Sequence, residues 1–131
     1  MYLANNVRQP EYQGVPVINY GEEAQWSTRT RIAVEQLKEP YICLLLEDYF
    51  IGAMIDNNMI AEALDLIKQD GIRYYKLNNF SRVNTKRYKN IDYLYTIPEN
   101  MEYGISLQPA IWKREYLLEL LGDSAYTALE I

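Results

Sequence analysis

The chain contains no histidine. That absence removes every Ser-His-Asp or Cys-His nucleophile arrangement and every histidine-containing zinc site. A single cysteine, Cys43, rules out an internal disulfide. Because it lies inside an apolar run, it reads as a small packing residue before a reactive thiol. No apolar run approaches the roughly 20 residues of a membrane span, and the start lacks the basic-then-apolar profile of a signal peptide. Neither a phosphate-binding P-loop nor a dinucleotide GxGxxG motif is present. A soluble, cytoplasmic protein is therefore expected. Basic residues are outnumbered by acidic ones, giving a formal charge of -5, which argues against nucleic acid as a partner. One local exception, Ser81 to Lys89, carries four cations, and is either a solvated loop or a loop that touches phosphate groups.

At 131 residues the chain has the length of a single domain, residues 1–131, and its hydrophobic share of 49% supports a core. Thirteen tyrosines are many for this length. Tyrosine suits surfaces that are part apolar and part wet, which describes sugar-binding sites and ordinary half-buried strands alike. Without histidine, any catalysis must run on carboxylates, tyrosines, lysines or a hard metal ion held by oxygen.

The run Tyr41 to Leu46, entered through Pro40 and closed by Glu47-Asp48, reads as a strand buried on both faces. Before it, Val15 to Tyr20 reads as a short strand, and Ser27 as the N-cap of a helix over 28–38. After it, Asp56 caps a helix in which Ile60, Ala63, Leu64 and Ile67 keep helical spacing, with Gly71 as its stop. Ile72 to Leu77 alternates as a half-buried strand, and Asp92 to Ile97 is a candidate short strand. The first half of Tyr103–Trp112 reads as a strand, and Lys113 to Leu121 as a helix closed by Gly122. The βαβαβ order predicts an α/β protein with a mainly parallel sheet.

Ligands of such sheets gather at the carboxyl ends of the strands, which is where Glu47 and Asp48 fall. Neighbouring strand residues point to opposite faces, so the two carboxylates cannot chelate one ion from regular strand geometry. One of them can do so where the strand breaks into a loop. Magnesium-like ions need only one or two carboxylates when waters and substrate phosphates complete the shell. An acid ending a strand for solvation is the plainer reading. Asp123 and Glu130 are further carboxylates that can return to the same edge, and Trp112 and Tyr116 offer flat faces to a sugar ring, although core packing is the commoner use of a tryptophan.

Three stretches together, Leu44 to Phe50, Tyr103 to Leu117 and Gly122 to Glu130, resemble a bacterial family of GT-A-type glycosyltransferases associated with surface polysaccharide and lipopolysaccharide sugars. Tyr2 to Asn6 and Ala24 to Ser27 are similar to the early strand and helix start of that family. The resemblance implies a GT-A-like (Rossmann-like) mainly parallel sheet flanked by helices. It is a truncated one, because Met1 falls after the first strand of such a domain and the chain ends one residue beyond Glu130. It also implies metal-dependent transfer of a sugar from a nucleotide-sugar donor to a glycan or lipid-linked acceptor. Asp48 would hold Mn2+ or Mg2+ on the donor diphosphate, and Glu47 would orient the ion or the donor. Ser106, Gln108 and Trp112 would line the acceptor side, and Glu130 or Asp123 would act as the base. The motif is Glu-Asp-Tyr here, without a spaced pair of aspartates. Peripheral membrane association and a homo-oligomer are further expectations. The alternative is a non-catalytic module of the same ancestry that acts by associating with a partner.

Overall fold

The helix with the clearest sequence pattern is also the best-formed element. In the protein, for which a computed structural model describes residues 1–8, 14–22, 25–78, 85–102 and 104–122, that helix spans Asn57–Asp70. The Asp56 carboxylate accepts from the backbone N–H groups of Asn58 (2.9 Å) and Met59 (3.2 Å), satisfying two donors the first turn leaves open. Gly71 ends the helix at φ 66°, a left-handed conformation that glycine adopts without a Cβ penalty.

Among the described residues five strands and three helices follow one another as β1 (Leu3–Asn5), β2 (Val17–Asn19), α1 (Trp26–Glu35), β3 (Tyr41–Leu44), α2 (Asn57–Asp70), β4 (Tyr74–Lys76), β5 (Ala110–Lys113) and α3 (Arg114–Leu121). They form two sheets. β1 and β2 pair in parallel, and a separate three-stranded sheet has the order β3-β5-β4 with both pairings antiparallel. This corrects the expected mainly parallel, GT-A-like sheet. β3 and β4 do run in the same direction on either side of α2, as a βαβ unit should, but β5 enters between them in the opposite sense.

β5 is therefore the central strand, and β3 an edge. Ala110, Ile111 and Trp112 are all buried, whereas Cys43 and Leu45 of the long apolar run are exposed. Register explains the two faces. Ile42, Trp112 and Tyr74 stand in one row across the sheet, facing α1 and α3 with Val34, Leu117 and Leu121. Cys43, Ile111 and Tyr75 make the adjacent row, where Ile111 and Tyr75 face Ala63 and Ile67 of α2. The alternation is the period-two pleat of strands, and the result is a helix–sheet–helix sandwich.

Side chains tie the outer helices together. The Arg114 guanidinium donates to the carbonyls of Val34 and Glu35, both at 3.3 Å, in the last turn of α1. At the other end Arg31 donates to the Gly122 carbonyl. Three local expectations also need correction. Gln25, not Ser27, precedes the first helical residue, and Ser27 is buried inside α1. The segment 92–97 contributes one bridge, Arg87 to Tyr95, and no strand. The strand within 103–112 occupies its second half, after Pro109, whose carbonyl accepts from Leu77 N–H at 2.8 Å.

Candidate functional site

Beyond Leu44 the chain leaves β3 and turns, with Tyr49 N–H donating to the Leu46 carbonyl at 3.1 Å. Glu47 and Asp48 sit exposed in this turn. Glu47 borders a cavity of about 760 Å3 enclosed by β1, α1 and β3, and Asp48 lines neither this cavity nor the larger one described next. Among the described residues no three His, Cys, Asp or Glu side chains converge in a way that would hold a metal ion. Among the described residues the turn thus gains no third ligand beside its own two carboxylates. That fits an ion whose shell is completed by a substrate diphosphate, and does not fit a cage made by protein alone.

The larger cavity, about 950 Å3, lies along β4 between α2 and the segment 88–105. Its walls carry six tyrosines, Tyr74, Tyr75, Tyr88, Tyr93, Tyr95 and Tyr116, together with Arg73, Lys76, Asn78 and Glu99. The sequence pattern explains their convergence. Consecutive residues of a strand point to opposite faces, so Tyr74 and Tyr75 flank the β4 edge on both sides of the sheet. Tyr88, Tyr93 and Tyr95 come from a reversal in which Lys89 and Asn90 both take positive φ, 48° and 58°. That reversal is fixed to the end of α2, because the Asp70 carboxylate accepts from Tyr88 Oη and Lys89 Nζ, each at 2.8 Å. These two donors hold the Asp70 carboxyl below the usual carboxylate range, Lys89 first, and the contact lies at the outer surface of the fold although the carboxylate itself is mostly covered.

Within the cleft, the Arg73 guanidinium stacks over the Tyr116 ring at 4.4 Å. Burial lifts the phenol pKa of Tyr74 and Tyr75 and lowers that of the Lys76 ammonium. All three changes run toward the neutral form, as burial does, and Arg73 and Glu99 stand on the same walls beside the flat phenol faces.

The residues singled out from the sequence divide as follows. Ser106 meets the cleft wall: its carbonyl accepts from Tyr74 Oη at 3.2 Å, and its N–H donates to the same oxygen at 3.4 Å. Gln108 accepts from Asn78 Nδ2 at 3.0 Å, again at the cleft wall. The hydroxyl of Ser106 and the carbonyl oxygen of the Asn78 side chain are buried without a partner, and both stand beside these contacts. Trp112 instead fills the core at 0% exposure, tilted against Tyr74 with ring centroids 4.5 Å apart, and presents no face to a ligand. Asp123 and Glu130 lie outside the described residues. Cys43, expected to be packed inside, is exposed on the edge strand, while the protein behind it raises its thiol pKa.

Sequence reasoning passed over the cleft tyrosines as a group. The adjacent pair Tyr74-Tyr75 and the alternating Tyr93 and Tyr95 were the available signal, but only the fold shows that they share one concavity. Among the described residues no helix is long and apolar enough to cross a membrane. The chain matches no protein-family model, no curated protein and no solved structure.

Proposed function

We propose that the chain is a sugar-handling protein of cell-envelope polysaccharide synthesis, holding the rings of a glycan or lipid-linked acceptor in the tyrosine-lined cleft. One observation carries this reading: a cavity of ligand size whose walls alternate phenol faces with hydrogen-bonding groups. Phenol faces cover the C–H face of a pyranose, and the rim hydroxyls, Arg73 and Asn78 satisfy its hydroxyls. Ser106 and Gln108, which the family resemblance puts on the acceptor side, bond to Tyr74 and Asn78 of these walls without lining the cavity themselves.

Metal-dependent transfer from a nucleotide-sugar donor is the activity that goes with this reading. Asp48, with Glu47 beside it, would take the Mn2+ or Mg2+ of the donor diphosphate, and the ion would offset charge on the departing nucleotide. Such a protein would work in the cytoplasm. A lipid-linked acceptor agrees with a second feature, the β3–α2 connection, where Phe50 and Met54 are 91% and 97% exposed beside exposed Ile51, Ile55 and Met59. Large apolar side chains clustered on a surface mark contact with another apolar phase.

The test is a titration of the chain with envelope-type oligosaccharides, and separately with UDP- and GDP-linked sugars plus manganese, followed by calorimetry. Saturable glycan binding, weakened about five- to tenfold by Tyr93→Ala on the exposed rim, is expected, since one stacked ring contributes about 1–1.5 kcal/mol. Manganese-dependent nucleotide-sugar binding abolished by Asp48→Ala would support transfer. If no glycan binds, or Tyr93→Ala leaves binding unchanged, the cleft is not a sugar site.

A further inference from the structure

The smaller cavity has a geometry that the sugar reading does not use. It is lined by β1 and by β3, and among the described residues neither strand has a pairing partner on its second edge. In the antiparallel pairing of β3 with β5, Arg114 N–H donates to the Pro40 carbonyl at 2.9 Å. Hydrogen bonding alternates along such a ladder, so Ile42 and Leu44 also face β5, and the peptide groups of Tyr41 and Cys43 face away. In the parallel pair, Leu3 N–H donates to the Pro16 carbonyl at 2.9 Å, and Tyr20 N–H to the Asn5 carbonyl at 3.0 Å. Leu3 and Asn5 thus face β2, leaving the peptide groups of Tyr2 and Ala4 on the opposite side. Residues of both edges line the cavity.

Its size matches one strand. A four-residue strand at about 3.3 Å per residue, spaced about 4.8 Å from each neighbour in a layer about 10 Å thick, sweeps out roughly 600 Å3. The cavity measures about 760 Å3. Its floor is apolar, made by Ile18, Ala33, Val34 and Leu37, and so suits the inward side chains of a strand. Across one end, Tyr2 Oη donates to Glu39 Oε1 at 3.0 Å, joining the two edges without filling the space between them.

We infer that this cavity is a receptor for one extended polypeptide segment supplied by a partner chain, which adds a strand between β1 and β3 and joins the two sheets into one. The occupant follows from the walls. An acyl chain offers no hydrogen bonds to two rows of peptide N–H and C=O groups, and sugar hydroxyls do not repeat at the strand spacing, whereas a strand with an apolar residue at every second position pairs with both rows and covers the floor. Burying either edge without such a partner would strand backbone groups away from water.

The test uses the full chain with two synthetic octapeptides, one alternating valine and threonine and one with proline at both central positions. Amide hydrogen exchange reads the edges, and the rate of Cys43 labelling by a small disulfide reagent reads β3 independently. With the first peptide, exchange at Tyr2, Ala4, Tyr41 and Cys43 should slow at least tenfold and Cys43 labelling should slow with it. Amides of β4 should be unchanged, and the proline peptide should do nothing. The inference fails if the four amides are already protected in the dilute chain alone, because the edges are then satisfied internally. It fails equally if protection appears only on concentrating the chain, which makes a second copy the occupant, or if both peptides act alike or neither acts. Glycan binding is measured on the same samples. Its loss or survival bears on the tyrosine cleft and leaves the strand result to stand by itself.

Discussion

Cys43 and Ile111 are partners in register across the β3–β5 ladder, yet their substitutions should differ sharply. Ile111 is 4% exposed and packs with Ala63 and Ile67 of α2. Ile111→Ala removes three carbons, about 2.4 kcal/mol at ~0.8 kcal/mol each, and the cavity left behind brings the loss to about 3–4 kcal/mol. Cys43 lies exposed on the outer strand, so Cys43→Ser should fall within about 0.5 kcal/mol of wild type. Urea unfolding followed by tryptophan fluorescence measures both, and with unchanged slopes the midpoints give the difference directly. In a thermal melt the Ile111 variant should drop by about 10–15 °C for a chain of this size. A Cys43→Ser loss above about 2 kcal/mol, with Ile111→Ala costing under about 1 kcal/mol, would put β3 at the centre of the sheet and refute the order β3-β5-β4.

Trp112 buries its indole N–H without a partner, so Trp112→Phe should change stability by no more than about 1 kcal/mol, the lost contacts being offset by removal of an unpaired donor, while Trp112→Ala should cost about 3–5 kcal/mol by the same urea assay. The lowered carboxyl pKa of Asp70 gives a stabilising contribution that is complete above the ordinary carboxylate value and lost as pH falls through the lower folded one. Wild type should therefore exceed Asp70→Asn in stability at about pH 7, and the gap should narrow as pH falls below the ordinary carboxylate range; a gap that does not narrow in acid would show that the charge is not responsible. Phe50→Ser with Met54→Ser should lower co-sedimentation with lipid vesicles about tenfold or more without moving the melting temperature, since roughly 1.5–3 kcal/mol attaches to each large apolar side chain taken out of water.

How much of the fold was legible depended on which element carried local chemistry. α2 could be read because cap, spacing and stop agree within one segment: Asp56, then Ile60, Ala63, Leu64 and Ile67, then Gly71. β2, β4 and α3 were legible for similar reasons. Sheet order was not, because it is decided between segments. Six apolar residues from Tyr41 to Leu46 look more central than the three of Ala110 to Trp112, and burial inverts that ranking. An edge strand also accepts a long apolar run when one face packs, as Ile42 and Leu44 do, and Leu45 then stands exposed at the strand's end. What marks β5 as central is its setting: Gln108-Pro109 starts it abruptly, and Lys113-Arg114 leads straight into a helix that folds back over it.

The same distinction governs the site. An acidic pair closing a strand is visible in sequence, and the structure leaves Glu47 and Asp48 in an exposed turn as that pattern alone would suggest. The tyrosine cleft is assembled from Tyr74 and Tyr75 on a strand, Tyr88 to Tyr95 on a reversal, and Tyr116 on a helix, so no local window contains it. Its one local trace is the excess of tyrosine over phenylalanine, thirteen against two. A core needs phenylalanine as readily as tyrosine, because the phenol oxygen requires a partner once buried. Here Tyr74 Oη has Ser106 and Tyr88 Oη has Asp70, and both bonds lie at the cleft. The tyrosine excess therefore marks surface that is meant to stay half wet, and the cleft gathers six of the thirteen tyrosines into one concavity.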